Sequence, residues 1–183
     1  AFDRREDQKG CPFGEQGLCC RLCNMGPCRL MLKKPDVLGV CGANFSTIAS
    51  RNFARMVAAG TSAHSDHGRE VAKVFIKAAR GEVPGYEIKD IVKLHALAQV
   101  YGVDTNGKGK NQIAEEVGRK ALAEFGRQEG ELVMAGRAPK TRQAIWRDLK
   151  IYPRGIDVEV VELMHRTNPG TDQDYRNIIL GSM

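Results

Sequence analysis

Several sequence patterns are missing or scarce in this chain of 183 residues. It has no apolar run long enough to cross a membrane and no secretory signal peptide, so we expect a cytoplasmic protein without a membrane span. The net charge is +6, but the Lys and Arg residues form no basic run, which argues against nucleic-acid binding. Period-two alternation of apolar residues is almost absent, and this excludes a fold built mainly of sheet.

Cysteine is missing from most of the chain, because all six cysteines lie between Cys11 and Cys41. In a cytosolic protein, such clustering favours metal or redox chemistry over a disulfide framework. Residues 1–42 are also rich in Gly and Pro and show no helical period. We therefore expect a loop-rich segment that a metal centre stabilises.

From residue 43 onwards, apolar residues recur at helical spacing, which predicts a helical domain over residues 43–183. The first helix is expected to stop at Gly60, since glycine is common at helix ends. The predicted fold class is mainly α, with a cluster-binding and dimer-interface segment at residues 1–42. Helices are predicted at about 43–60, 61–81, 88–101, 113–125, 139–149, 157–166 and 172–183.

The spacing of the cysteines is C-x7-C-C-x2-C-x4-C-x12-C. The C-x2-C step of Cys20 and Cys23 places two thiolates on one local turn, and Cys28 and Cys41 can complete a set of four. Neighbouring glycines let backbone N–H groups approach sulfur, as iron–sulfur clusters favour. A structural zinc site is the alternative, although zinc ribbons usually have two C-x2-C steps and this chain has one.

Cys19 and Cys20 are neighbours, and neighbours on an extended backbone point to opposite sides. They are therefore poorly placed to bind in one compact site. If Cys20 belongs to the four-thiolate set, Cys11 and Cys19 remain as half of another. A twofold dimer axis would supply the other half, whereas a disulfide or an idle thiol pair is the alternative.

The stretch TSAHSDHGRE places His64 and His67 one helical turn apart, on a face that continues into Val71 and Val74. If this face is turned inward, the two imidazoles are suited to relay protons. Two hydrogen-bonded core histidines are the alternative.

The stretches CPFGEQGLCCRLCNMGPCRL, GVCGA, SRNFARMVAAGTSAHSDHGR and PRGIDVEVVELMHRTNPGTDQD closely resemble the N-terminal region of anaerobic nickel–iron carbon monoxide dehydrogenases. Members of that family are homodimers that catalyse CO + H2O ⇌ CO2 + two protons + two electrons. The resemblance implies an intrasubunit [4Fe–4S] cluster and a second cluster shared across the dimer, of the [4Fe–4S] or the alternative [2Fe–2S] type. The implied ligands are Cys20, Cys23, Cys28 and Cys41 for the first cluster, and Cys11 and Cys19 with their symmetry mates for the second.

The resemblance also implies that His64 and His67 transfer protons. Some members continue the histidine stripe, but this chain has Glu70 and Lys73 at the next two steps. The catalytic Ni–Fe–S cluster of the family is bound in later domains, so we expect a chain truncated before those domains and inactive by itself in CO oxidation.

The partners that the resemblance implies are a ferredoxin-like electron acceptor and, in some enzymes, an acetyl-CoA synthase. Two other interpretations stay open from the sequence. One is a hybrid-cluster-type Fe–S oxidoreductase, and the other is a zinc-stabilised helical interaction module.

Overall fold

The computed structural model describes residues Ala1 to Met183 and contains eight α-helices, one 3-10 helix and one small sheet. This confirms the mainly α fold predicted from the sequence. None of the helices combines the length and apolar character that a membrane span requires. The α-helices are α1 (Phe2–Glu6), α2 (Pro12–Glu15), α3 (Phe45–Ala79), α4 (Ile91–Tyr101), α5 (Lys110–Gly126), α6 (Lys140–Asp148), α7 (Ile156–Arg166) and α8 (Tyr175–Leu180); the strands are β1 (Cys19–Cys20) and β2 (Cys28–Arg29), and the 3-10 helix is Val133–Arg137.

The chain forms two compact units, and each has its own apolar core. The first unit comprises residues 1–59 and 162–183, and the second comprises residues 60–161. All six cysteines belong to the first unit. The sequence predicts a boundary between a cluster-binding segment, residues 1–42, and a helical domain, residues 43–183. This functional boundary stays a prediction.

The core of the second unit forms where α4 and α5 pack together. The N-terminus of α4 is capped by Asp90, whose side chain accepts a hydrogen bond from the backbone N–H of Lys93 at 2.9 Å. Its C-terminus is closed by Gly102, which has a φ of 63° in the left-handed region that favours glycine. Gly102 explains why the predicted end of this helix near Tyr101 is correct, and the Asp90 cap explains why the helix begins at Ile91, three residues after the predicted start. The buried core residues are Ala79, Ile88, Leu94, Ala98, Val103, Ile113, Ala114 and Val117.

One long helix replaces the first two helices predicted from the sequence. α3 continues through Gly60 over 35 residues, so the predicted stop at this glycine is wrong. A glycine in a helix interior costs only about 1 kcal/mol relative to alanine, and the packing of the other residues of a long helix can outweigh so small a cost. Gly60 is exposed, and an added Cβ would meet nothing within 4 Å, so packing does not require glycine there.

The buried face of the N-terminal half of α3 also differs from the apolar stripe in the sequence. The apolar period of the sequence predicts Phe53 and Met56 on one face with Ile48, but the two residues are 48% and 67% exposed. The buried stripe instead runs through Ile48, Arg51, Ala54 and Ala58, at steps of three, three and four residues. It was not recognised because it contains a fully buried arginine and two small alanines.

Candidate metal centre

The sheet divides the neighbouring cysteines between two faces. β1 and β2 are antiparallel, with Cys20 directly opposite Cys28 and Cys19 directly opposite Arg29. Directly opposed residues place their side chains on the same face, and successive residues alternate. Cys20 and Cys28 therefore share one face, while Cys19 and Arg29 share the other. The sequence did not predict these two-residue strands, because alternation cannot be recognised over so short a length.

The turn between the strands contains Cys23 and is closed at Gly26. The N–H of Gly26 donates to the carbonyl of Cys23 at 3.4 Å. A Cβ at Gly26 would lie 3.0 Å from the backbone N of Cys28 and 3.1 Å from the carbonyl O of Cys20. Both neighbours are backbone atoms that cannot move aside without shifting a strand. A side chain at Gly26 would therefore press on the backbone of two predicted ligands.

Cys20, Cys28 and Cys41 come together around one small apolar core formed by Leu30, Ala43 and Ile48, together with partly buried neighbours. The N–H of Val40 donates to Sγ of Cys28 at 3.4 Å. This is the kind of backbone donor to sulfur that tunes iron–sulfur clusters. Three of the four predicted ligands of the intrasubunit site therefore belong to one packed group, and Cys23 lies half-buried in the adjoining turn.

Cys41 is held by groups from α3 and from the segment that precedes α8. Nη1 of Arg51 lies 3.6 Å from Sγ of Cys41, and Nε2 of Gln173 donates to the Cys41 carbonyl at 3.0 Å. Burial raises the pKa of Cys41, but hydrogen bonds from the Ala43 N–H and from Arg51, with the charge of Arg51, outweigh it and lower the pKa overall. A lowered pKa favours the thiolate, which is the form that binds metals.

Cys11 and Cys19 lie on the more open side of the same segment. Cys11 is exposed and Cys19 is half-buried. The backbone N–H groups of Gly14 and Phe13 lower the pKa of Cys11, and the charge of Arg29 adds to this effect. Arg29 is also the strand partner of Cys19, so the same cation lies opposite Cys19 and lowers the pKa of Cys11.

Asn52 attaches the segment of residues 17–19, where the chain enters β1, to α3. Its Nδ2 donates to the carbonyl of Gly17 at 2.7 Å and to that of Cys19 at 3.0 Å. The chain reverses at Gly17, whose φ is 69°, and the N–H of Leu18 donates to the carbonyl of Phe13. Sequence reasoning missed both Asn52 and Arg51, since an Asn or Arg on a helix is usually a solvated residue.

All six thiols are free, and no group of three or more His, Cys, Asp or Glu side chains is placed to hold a single metal ion. An iron–sulfur cluster fits the chemistry of the donors present. Four thiols lie on one segment, and the sulfurs of Cys28 and Cys41 receive an N–H and a guanidinium donor. A fully buried guanidinium beside a thiol also favours an anionic group in its surroundings.

His64 and His67 are both exposed on α3, so the inward orientation considered from the sequence is wrong within this chain, and so is the alternative of core histidines. Val71, on the same face, is 57% exposed. At the next two steps, Nζ of Lys73 bonds Oε1 of Glu70 at 2.7 Å. That hydrogen bond, with the charge of Lys73, lowers the pKa of Glu70. The histidine pair is therefore followed by a surface ion pair.

The chain matches the model of the Prismane/CO dehydrogenase family over residues 18–183. It is 46% identical, over 98% of its length, to carbon monoxide dehydrogenase 1 of Methanosarcina acetivorans, and 40% identical, over its whole length, to the carbon monoxide dehydrogenase of Rhodospirillum rubrum. It spans about 29% of the length of each of these relatives.

The fold is similar to solved structures of the same kind of enzyme. A nickel-free carbon monoxide dehydrogenase from Thermococcus sp. AM4 matches with a TM-score of 0.92 and 43% identity, over 98% of this chain and 29% of that one. An acetyl-CoA synthase/carbon monoxide dehydrogenase matches with a TM-score of 0.91 and 35% identity, over 100% of this chain and 28% of that one. The chain therefore belongs to the Prismane/CO dehydrogenase family.

Proposed function

We propose that the chain is the N-terminal part of a carbon monoxide dehydrogenase and that it carries electron-transfer clusters and the dimer interface. The relatives named carbon monoxide dehydrogenase support the reaction, CO + H2O ⇌ CO2 + two protons + two electrons. The observation that carries the assignment to this segment is the sheet, which separates Cys20 and Cys28 on one face from Cys19 on the other.

In this proposal, the intrasubunit site is a [4Fe–4S] cluster with four cysteine ligands. When bound, such a cluster accepts and releases single electrons. The protein holds the thiolates through the Gly26 turn and the packed core, and it directs the Val40 N–H and the Arg51 guanidinium at two of the sulfurs. The proposed ligands are Cys20, Cys23, Cys28 and Cys41.

The second site is a cluster that Cys11 and Cys19 share with the same two residues of a second subunit. Two thiols are half of a four-ligand set, and a twofold axis presents the same pair again. The exposure of Cys11 supports this, because a ligand shared between subunits must be accessible on the surface of one subunit. The cluster is proposed to be [4Fe–4S], with [2Fe–2S] as the alternative.

His64 and His67 are proposed to transfer protons in the complete enzyme. The support for this role is their spacing of one helical turn on α3, at which one imidazole can pass a proton to the next; in this chain both are also open to exchange with solvent. The relay is proposed to end at His67, because the next two side chains, Glu70 and Lys73, bond each other.

The nickel-containing catalytic cluster is proposed to bind to residues outside these 183, since the two proposed sites use all six cysteines. The proposed partners are a second subunit, a ferredoxin-like electron acceptor and, in an enzyme of the combined type, an acetyl-CoA synthase. A cytoplasmic location is part of the same proposal.

A visible spectrum and a metal analysis of the full-length protein, purified without oxygen, test the proposal. We expect a brown protein whose absorbance bleaches on reduction, and whose iron content falls by about four per chain in the Cys28→Ser variant. A colourless protein that contains zinc instead of iron would refute the redox role.

A further inference from the structure

Arg51 is a buried cation without a carboxylate partner. Its side chain lies on the inner face of α3, and the residue is 0% exposed. None of the salt bridges of the chain includes it, and its Nε is buried without a hydrogen-bond partner. A buried charge costs several kcal/mol unless an opposite charge or hydrogen bonds compensate it. The opposite charge or the hydrogen bonds that offset this cost must therefore come from the groups around the guanidinium of Arg51.

The guanidinium faces a cysteine sulfur and a backbone carbonyl. Nη1 lies 3.6 Å from Sγ of Cys41, and Nη2 donates to the carbonyl of Asp172 at 2.9 Å. The position of this carbonyl is fixed by the next residue, because Oγ1 of Thr47 donates to the Gln173 carbonyl at 2.7 Å. Gln173 in turn donates to the carbonyl of Cys41. Arg51 is therefore locked in place, with one nitrogen directed at the sulfur.

We propose that Arg51 is a positioning residue that raises the reduction potential of the iron–sulfur cluster held by Cys41. The inference rests on the proposed function, because it assigns Cys41 to that cluster. Reduction adds negative charge to a cluster, and a fixed cation that bonds a ligand sulfur stabilises the reduced form more than the oxidised form. The surrounding protein excludes water from the guanidinium, so solvent screens this interaction only weakly.

Arg55 provides a matched control on the same helix. It lies one turn after Arg51, and its Nη1 donates to Oγ1 of Thr167 at 3.0 Å. It thus carries the same charge and bonds a residue of the same C-terminal stretch, but none of its hydrogen bonds involves a cysteine. A general loss of positive charge from α3 would affect both arginines, whereas an effect through the Cys41 sulfur would affect Arg51 alone.

The test is a redox titration of the full-length protein, with the reduced cluster followed by electron paramagnetic resonance. The signal of the intrasubunit cluster is the one that persists in a Cys11→Ser/Cys19→Ser variant and is lost in Cys28→Ser. We expect Arg51→Gln to lower the reduced-to-oxidised ratio at a fixed potential about tenfold, which is about 59 mV for one electron. The iron content should not change.

Two further variants complete the test. Arg51→Lys keeps the charge but loses the planar fork of donors, so we expect a shift in the same direction of about threefold, or about 28 mV. Arg55→Gln should keep the parent potential. If Arg51→Gln does not fold, the reduction potentials of Arg51→Lys and Arg55→Gln still test the inference.

If the Arg51 variants keep their iron and titrate like Arg55→Gln, Arg51 does not set the potential and the inference is wrong. Loss of iron from both Arg51 variants, with the remaining cluster at the parent potential, would equally overturn it and make Arg51 a structural residue. If the parent protein itself lacks a signal that depends on Cys28, the proposed function has failed, and this result is distinct from the first two.

Discussion

Asn52→Ala tests whether α3 holds the cysteine segment, residues 11–41, in place. The substitution removes the hydrogen bonds from Nδ2 to the carbonyls of Gly17 and Cys19, at 2.7 and 3.0 Å. Each such bond contributes about 0.5–1.5 kcal/mol net, so the segment of residues 17–19 should lose about 1–3 kcal/mol of local stability. Because both bonds end on this segment, the loss should be confined to its opening and should not spread evenly through the protein.

Asn111→Ala is the matched control for this prediction. Asn111 is also helical, lies exposed in α5 and belongs to the second unit, whereas Asn52 belongs to the first. Both substitutions replace Asn by Ala in a helix, but Asn111 lies in the first turn of α5 and Asn52 in the interior of α3. The gain in helix propensity at Asn52, up to about 0.7 kcal/mol, acts against the expected loss, so faster exchange in Asn52→Ala reports its two hydrogen bonds.

Hydrogen exchange of the full-length protein, loaded with iron without oxygen and followed by mass spectrometry, provides the measurement. The amides of Gly17 and Leu18 are hydrogen-bonded to the carbonyls of Gly14 and Phe13, so a peptide that covers these residues reports the opening of the segment. We expect exchange about 5- to 150-fold faster in Asn52→Ala than in Asn111→Ala. Equal rates in the two variants would refute the idea that Asn52 anchors the segment.

Three further predictions concern the loading of the sites and the reaction. Gly26→Ala should reduce the iron bound per chain, because its Cβ would meet two backbone atoms at 3.0 and 3.1 Å, whereas Gly60→Ala should not; equal iron in both would show that the turn tolerates a side chain. His64→Ala and His67→Ala in the full-length enzyme should slow CO oxidation by about 10²- to 10⁴-fold without loss of iron; unchanged turnover would exclude proton transfer by these residues. The 183-residue chain alone should not reduce a viologen dye with CO, and activity of that chain would contradict the assignment of all its cysteines to electron transfer.

The helical part of the fold could be predicted from the sequence wherever local signals and packing agree. α4 is an example, because the Asp90 cap, the apolar period and Gly102 all indicate the same helix. Gly60 is the opposite case. A single glycine resembles a helix end in the sequence, but whether the helix continues depends on the residues after it and on the packing of the whole element.

The cysteine segment shows what the spacing of residues can and cannot predict. The alternation of neighbours on an extended backbone was enough to expect Cys19 and Cys20 on opposite faces. The pairing of Cys20 with Cys28 depends on the shape of a turn of seven residues, in which Gly26 lies against backbone atoms of both cysteines; these contacts exist only once the strands have paired. The role of Arg51 is hidden for the same reason, because its contacts with Asp172 and Cys41 are made only after folding.

The central claim is that cysteines on the two faces of the β1–β2 hairpin bind two different clusters, one of them shared between subunits. Iron analysis of the full-length protein and its Cys11→Ser/Cys19→Ser variant, both loaded without oxygen, tests it most directly. If the shared cluster is a cubane of four irons, the variant should contain about two fewer irons per chain and its dimer should be weaker; a two-iron cluster would give about one fewer. Cys28→Ser should instead remove about four irons per chain. An unchanged iron count in the double variant, as a Cys11–Cys19 disulfide would produce, would contradict the claim.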